Sequence, residues 1–177
     1  MIKIIPLTFL AFALSVGAIT YAETSTGEHV DDSAMTTRVK FALLEQSVSD
    51  GSAINVETSK GVVQLAGFVS SDEAKATAGR VTAGVDGVVS VSNRLIVRSE
   101  KRSAGTTLDD GILAAKVKLK LIENEETSGG KINVEIRDAV VELSGFVDSY
   151  EERDAAVKLV SEIDDVTDVI NSIDITR

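Results

Sequence analysis

The chain has no cysteine, a single histidine and a deficit of positive charge. Its 177 residues carry a formal net charge of −10 at pH 7. Without cysteine, a disulfide framework, a thiolate metal site, a cysteine nucleophile and a lipid-modified cysteine anchor are all excluded. Nucleic acid is not an expected partner, because binding to a phosphate backbone needs a basic surface. We therefore expect a protein that acts without thiol chemistry and does not have DNA or RNA as its partner.

The remaining candidates for catalysis or metal binding are weak. His29 lies in a polar segment, whereas a Ser-His-acid arrangement needs a histidine held beside its nucleophile. The acidic clusters fall at predicted helix ends and loops, lack EF-hand spacing, and are expected to be solvated charges. These clusters are Glu123-x-Glu125-Glu126, Glu151-Glu152-x-Asp154 and Asp164-Asp165-x-x-Asp168. We therefore expect no cofactor, no metal site and no enzymatic activity.

The N-terminus has the pattern of an export signal. Lys3 supplies a positive charge, residues 4–19 are apolar apart from Thr8 and Ser15, and the small residue Ala22 precedes a polar run. This pattern is typical of a secretory signal peptide. The apolar run is shorter than the roughly 20 residues that a membrane-spanning helix needs. We predict a signal peptide at 1–22, cleaved after Ala22, and a flexible segment at 23–30.

The rest of the chain is one pattern written twice. The stretch GVVQLAGFV at 61–69 returns as AVVELSGFV at 139–147, and other matches keep the same offset of 78 residues without a gap. A tandem of two copies predicts two domains, each of which must bury its own core. We place the domains at 31–98 and 109–177, with a flexible linker at 99–108. The charge is unequal, with 8 acidic and 7 basic residues in 31–98 but 17 and 8 in 109–177.

Each copy has the element order α-β-β-α-β. A helical period is followed by an alternating strand (53–58 or 131–136), a tight turn, and a second strand (62–69 or 140–147). A second helix begins after Ser71 or Ser149, and a last strand covers 89–97 or 167–175. This order predicts an α+β fold in which two helices pack on one face of a three-stranded mixed sheet.

Two local features add detail to this prediction. Asp31-Asp32 and Asp109-Asp110 stand where the first helix of each copy is expected to start, so they are predicted to cap it. The hairpin turn is Lys60-Gly61 in the first copy and Asp138-Ala139 in the second. Alanine is strained at positive φ, so we expect a different turn in the second copy.

The ordered motifs resemble the BON domain family. The resemblance lies in Val39-Lys40-x-x-Leu43, in Gly61-x-Val63-x-Leu65-x-Gly67-x-Val69 and in Gly87-Val88-x-x-Val91-x-Asn93. The second copy departs from the pattern at Ala139 and Asp165. The resemblance implies an αββαβ fold, a periplasmic location and a role in envelope stress. Phospholipid binding is also proposed for this domain, and the family contributes no catalytic residues.

The first helix of the second copy has two apolar faces. Leu113, Val117 and Leu121 form one stripe, and a second stripe lies about half a turn of the helical wheel away. Such a helix is either buried on both sides or has a partner. The second stripe could pack against the other repeat, dock on a membrane, or bind a client protein or a second copy. The residues expected to contact lipid on this stripe and its lysine borders are Ile112, Lys116, Lys118, Leu119, Lys120 and Ile122.

Our leading hypothesis is therefore a non-enzymatic periplasmic protein that adheres to an anionic phospholipid surface. A periplasmic chaperone or a protein-interaction adaptor is the alternative. The sequence does not determine the oligomeric state.

Overall fold

A computed structural model describes residues 26–48, 54–98 and 104–176. The signal peptide predicted at 1–22 lies outside the described residues, as do linker residues 99–103. The helices are α1 Thr26–Glu45, α2 Asp72–Ala83, α3 Ala104–Glu123 and α4 Tyr150–Ser161. The strands are β1 Ile54–Ser59, β2 Val62–Val69, β3 Ser90–Asn93, β4 Ile96–Val97, β5 Ile132–Arg137, β6 Val140–Val147 and β7 Asp168–Ile175.

The two repeats have the same topology, and the predicted α+β fold is confirmed. In the first domain β1 and β2 form an antiparallel hairpin, and β3 and β4 run parallel to the other side of β2. In the second domain β5 and β6 form the hairpin, and β7 runs parallel to β6 along its whole length. Two helices accompany each sheet, and the β-α-β part supplies the parallel strand pair.

The element boundaries differ from expectation by more than one residue in three places. Helix α1 begins at Thr26, inside the segment 23–30 that the sequence predicts to be flexible, and it includes the position of His29. Helix α3 begins at Ala104, inside the linker predicted at 99–108. The last strand of the first domain is interrupted between Asn93 and Ile96, although Leu95 in the gap is almost fully buried in the core.

The predicted helix caps are wrong, and the reason lies in the hairpin turns. Both aspartate pairs sit inside their helices rather than at the start. The Asp32 carboxylate instead accepts hydrogen bonds from the backbone N–H groups of Lys60 and Gly61, at 2.8 and 3.0 Å. Asp110 does the same for Asp138 and Ala139, at 3.0 Å each. Each carboxylate thus ties the first helix of its domain to the turn between the first two strands.

The expectation of a different turn in the second domain is also wrong. Lys60 and Gly61 have φ values of 51° and 76°, and Asp138 and Ala139 have 55° and 60°. Both turns therefore place two consecutive residues in the left-handed region, as a type I′ turn requires. Two hydrogen bonds from the turn to Asp110 help to hold Ala139 in a conformation that costs a non-glycine residue about 1–2 kcal/mol.

Each domain buries its own apolar core between helices and sheet. In the first domain Val39 and Leu43 of α1 meet Val63 and Leu65 of β2. In the second domain Val117 and Leu121 of α3 occupy the equivalent places. Side chains alternate along a strand, so the residues between these core positions point to the opposite face of the sheet.

That opposite face is buried as well, because the two sheets pack against each other. Gln64, Ala66 and Phe68 alternate with the core residues of β2, and all three are buried. Glu142 and Ser144 of β6 are buried in the same way. Contacts between β2 and β6, β1 and β6, and β2 and β5 join the domains. The molecule therefore has four layers, with two sheets inside and a pair of helices on each outer side.

Candidate functional site

The centre of the domain interface is a reciprocal pair of polar side chains at equivalent repeat positions. Oε1 of Gln64 accepts from the backbone N–H of Gly145 at 2.7 Å, and Oε2 of Glu142 accepts from the backbone N–H of Gly67 at 2.7 Å. Gln64 and Glu142 are each 1% exposed. Each domain thus satisfies a buried backbone donor at the interior glycine of the other, as polar groups removed from water require.

A second reciprocal pair lies beside the first. The Asn55 amide donates to Glu135 at 3.0 Å, and the equivalent Asn133 donates to Glu57 at 3.1 Å. The same residue types therefore meet in both directions, which is the signature of an interface with two-fold symmetry. Within this chain the symmetry is approximate, because Gln64 is matched by a glutamate.

The glutamate has an unusual electrostatic environment. Burial raises the pKa of Glu142 to about 7, and hydrogen bonds from Ser172 and from the Gly67 backbone oppose that rise. The negative charge of Glu135 raises this pKa further, while Lys75 lowers it. The interface therefore contains a carboxyl group whose charge changes near neutral pH.

The neighbouring carboxylate of Asp174 behaves in the opposite way. Burial alone would raise its pKa, but hydrogen bonds from Gln64, Ser92 and Arg94 outweigh that effect, and the pKa lies below its usual value. The Arg94 guanidinium is 2.8 Å from Asp174, so this carboxylate links the end of β3 to β7 of the other domain.

The second apolar stripe of α3 is exposed to solvent. Ile112 is 63% exposed, Leu119 is 56% exposed and Ile122 is 59% exposed. Leu108 continues the stripe toward the start of the helix and is exposed too. The alternative in which this stripe packs against the first repeat is therefore wrong, because the repeats meet through their sheets. Phe41 and Leu44 form a shorter exposed pair on α1.

The three lysines predicted beside this stripe have different surroundings. Lys116 contacts Asp165 at 3.5 Å. Lys118 donates to the backbone carbonyl of Ile132 at 2.5 Å, and burial lowers its pKa although the charge of Glu57 opposes that effect. Lys120 is exposed in the last turn of α3. The structure thus keeps Lys116 and Lys120 near the surface, whereas Lys118 is directed toward the strands.

Several carboxylates of the acidic clusters make structural contacts. Glu152 accepts from the backbone N–H groups of Ser128 and Asp148, at 2.8 and 3.2 Å. Asp154 pairs with Arg153 at 2.7 Å. Among the described residues, no three His, Asp or Glu side chains are placed together to hold a metal ion. In the same part of the chain, the helices lack the combination of length and hydropathy needed to cross a bilayer.

Sequence reasoning missed the domain interface, although a signal for it was present. The residues of β2 that point away from the helices are Val62, Gln64, Ala66 and Phe68, and only one of them is polar. A strand whose two faces are both largely apolar is typical of a sheet covered on both sides. At the equivalent positions of β6, Val140 and Phe146 are apolar but Glu142 and Ser144 are polar, so the signal is weaker there.

Three known proteins resemble this chain over most of its length. Osmotically-inducible protein Y of Escherichia coli is 37% identical, over 83% of this chain and 74% of the relative. A 21 kDa hemolysin of Actinobacillus pleuropneumoniae is 29% identical, over 84% and 76%. The outer membrane lipoprotein DolP of Haemophilus influenzae is 29% identical, over 82% and 75%.

The family comparison agrees with the duplicated architecture. The sequence model of the BON domain family matches residues 31–99 and again residues 109–177. These matches cover most of the chain and coincide with the two αββαβ units of the structure. The protein is therefore a member of the BON domain family and carries two BON domains in tandem.

Proposed function

We propose that this is a non-enzymatic periplasmic protein of the envelope-stress response, which docks on anionic phospholipid through α3. The export pattern at 1–22 supports the location. Similarity to an osmotically-inducible protein and to an outer membrane lipoprotein supports an envelope role. The observation that carries the docking surface is the exposed stripe of Leu108, Ile112, Leu119 and Ile122 on an outer layer of the molecule.

The geometry of α3 suits shallow insertion. Its core stripe already packs against β5 and β6, so the domain is complete without burying the outer stripe. A helix that lies in the membrane interface buries its apolar side by about 5–10 Å. Partial burial of Ile112, Leu119 and Ile122 supplies a few kcal/mol, given about 1.5–3 kcal/mol for each fully buried side chain. That range is typical of weak, reversible attachment.

Charge contributes less than the apolar stripe. Each lysine near an anionic membrane adds about 1 kcal/mol. Lys120 is exposed, but Lys116 already contacts Asp165, and Lys118 is bound to Ile132. The acidic excess of the second domain opposes binding, although screening over about 8 Å at physiological salt limits that effect to nearby charges. We therefore expect binding to persist at moderate salt rather than to vanish as a purely electrostatic contact would.

Flotation with phospholipid vesicles tests the proposal. The chain lacking residues 1–22 is mixed with vesicles of phosphatidylglycerol and phosphatidylethanolamine, and the floating fraction is measured. Leu119→Glu places a charge in the centre of the stripe and removes its apolar contact. We expect this variant to lose affinity by about tenfold or more, corresponding to at least about 1.4 kcal/mol.

The duplication supplies a matched control. Phe41 occupies the position in α1 that corresponds to Leu119, and it is similarly exposed. Phe41→Glu makes the same kind of change on the other outer side, so we expect its flotation to match that of the unmodified protein. The docking surface is refuted if Leu119→Glu floats as well as the unmodified protein, or if neither form floats.

Binding to a client protein is the second candidate. It is favoured by the second exposed apolar pair, Phe41 and Leu44, because a chaperone gains from apolar contacts on more than one side. This function predicts suppression of aggregation of an unfolded protein, with both Leu119→Glu and Phe41→Glu weakening the effect. Activity in that assay without vesicle binding would favour this second candidate.

A further inference from the structure

An open cleft of about 410 Å³ lies at one end of the domain interface. One wall comes from the first domain, at the β1–β2 turn and the end of β3. The other wall comes from the end of β6, the first turn of α4 and the end of β7. Clefts of about 300–1,000 Å³ at domain boundaries are the usual places for small ligands. This cleft exists only because the two sheets pack against each other, and it lies apart from the stripe on α3.

The cleft gathers positive charge in an acidic protein. Lys60, Arg94 and Arg153 line it, against the single carboxylate of Asp174. That carboxylate is already bound by Gln64, Ser92 and Arg94 at 2.8 Å each, so its charge is neutralised locally and it fixes the Arg94 guanidinium in place. A planar, positioned guanidinium is well suited to bind a carboxylate or phosphate through two oxygens.

Arg153 belongs to the wall that the second domain forms, and neighbouring side chains hold it in place. Its guanidinium lies 5.0 Å from the centre of the Tyr150 ring, so the ring orients it by a cation–π contact. Its carboxylate partner, Asp154, is largely exposed. An exposed ion pair contributes only about 0–1 kcal/mol, so exchanging Asp154 for an anionic ligand is a small loss.

The duplication allows this end of the interface to be compared with its two-fold related end. At equivalent repeat positions, Lys60 is matched by Asp138, Arg94 by Ser172, and Tyr150 by Asp72, whereas Arg153 is matched by another cation, Lys75. Ser59 and Thr176 of the cleft are matched by Arg137 and Arg98, so the two-fold related end carries cations as well. What distinguishes this end is the pair of Arg94 and Tyr150, which the fold does not require, because both domains fold in the same way without sharing these residues.

The cleft has an apolar floor, formed by Phe146 and Val62, which alternate with the core residues of β6 and β2 and so point toward the domain interface. Ile173 and Ile175 also line the cleft, but their side chains pack in the core of the second domain. Cations at the rim and an apolar floor together define the ligand chemistry. We propose that this cleft binds a small amphiphilic anion, with a phosphate or carboxylate head on the arginines and a short acyl or aryl body on the apolar floor.

Titration of the full two-domain protein with hexyl phosphate, followed by amide NMR shifts, tests this proposal. We expect saturable shifts at Arg94, Tyr150 and Arg153, and not along α3. Two further probes test the head and the body of the ligand separately. Inorganic phosphate has the anionic head but no apolar body, and hexanol has the apolar body but no anionic head. Both should bind at least about tenfold more weakly, since a charge-assisted hydrogen bond or a buried apolar body each contributes a tenfold factor or more.

Matched substitutions locate the site. Arg153→Gln removes one cation from the cleft, and Lys158→Gln removes one from the exposed side of the same helix. We expect the first to weaken hexyl phosphate binding by about tenfold and the second to leave it unchanged. Arg94→Ser, which introduces the residue found at the equivalent position of the other repeat, should weaken binding of hexyl phosphate similarly.

Any of four outcomes would overturn the proposal. They are equal binding of hexanol and hexyl phosphate, shifts confined to α3, no saturable binding, and equal effects of Arg153→Gln and Lys158→Gln. The result of this titration does not depend on whether the protein floats with vesicles, so the cleft and the docking surface on α3 are tested separately.

Discussion

Replacing Glu142 by glutamine should make the protein more stable at neutral and alkaline pH. In the fold, Glu142 is buried at the domain interface and its pKa rises from 4.5 to about 7. A shift of this size corresponds to about 3 kcal/mol between the protonated and ionised forms, at about 1.4 kcal/mol per pKa unit. Glutamine has nearly the same shape and carries no charge, and Gln64 already occupies the equivalent site in the other domain.

The sign of the pH dependence follows from the direction of the shift. Because the folded pKa is above the unfolded one, Glu142 contributes stability that is complete below pH 4.5 and is lost as the pH rises through about 7. The unmodified protein should therefore lose about 3 kcal/mol relative to Glu142→Gln between pH 4 and pH 8. Titrating groups that do not interact with Glu142 act on both proteins alike, so the difference reports this carboxyl group together with its coupling to Glu135 and Lys75.

Hydrogen bonding permits the substitution. The new Oε1 accepts from the Gly67 backbone as Oε2 of Glu142 does now, and the new amide donates to Ser172 Oγ, whose hydroxyl can rotate to accept. Thermal unfolding at several pH values measures the effect. We expect Tm of the variant to exceed that of the unmodified protein by about 6–12 °C at pH 8, and by little at pH 4.

The reverse substitution is the control. Gln64→Glu puts a carboxylate beside Asp174 and removes the amide donors to the Ser172 carbonyl and to Asp174. We expect it to lower Tm, and to do so more at pH 8 than at pH 5. A constant difference in Tm between Glu142→Gln and the unmodified protein across this pH range would refute the reasoning.

Two further predictions concern backbone conformation, and thermal or denaturant unfolding measures both. Ala139→Gly should stabilise the second domain by about 0.5–1 kcal/mol, because φ is 60° there and glycine removes the strain, whereas Gly61→Ala should destabilise the first domain. Gly145→Ala should cost about 3 kcal/mol or more, because an added Cβ would lie 2.2 Å from the Lys131 carbonyl oxygen and φ is 120°. Gly111→Ala, in an exposed turn of α3 with nothing within 4 Å of the added Cβ, should instead be neutral or stabilising by up to about 1 kcal/mol. Similar losses from Gly145→Ala and Gly111→Ala, or a loss from Ala139→Gly, would contradict the conformational argument.

The sequence predicts the elements of each domain well because their signals are local. Strands β2 and β6 have the predicted bounds, and both Ser71 and Ser149 cap their helices as expected. The double apolar face of α3 was also visible from the spacing of its residues, and the exposure of Leu119 and Ile122 is consistent with an outer face that needs a partner. The lipid-contact residues themselves stay a prediction.

The errors concern contacts between residues far apart in the chain. An aspartate near the start of a helical pattern looks like a cap, and only the fold shows that Asp32 and Asp110 reach the hairpin turns instead. The domain interface was not predicted for a similar reason. Gln64 and Glu142 look like solvent-facing positions of alternating strands, and their burial depends on how the two domains meet.

The fusion of two similar halves in one polypeptide has a consequence for how they can specialise. A pair of identical chains related by a two-fold axis must carry the same side chain at both ends of the axis. Here one chain supplies both partners, so a residue can change on one side alone. Asymmetry that a homodimer could not hold is thereby encoded directly: a glutamine stands in one domain where the other has a titratable acid, and Arg94 and Tyr150 line the cleft at one end.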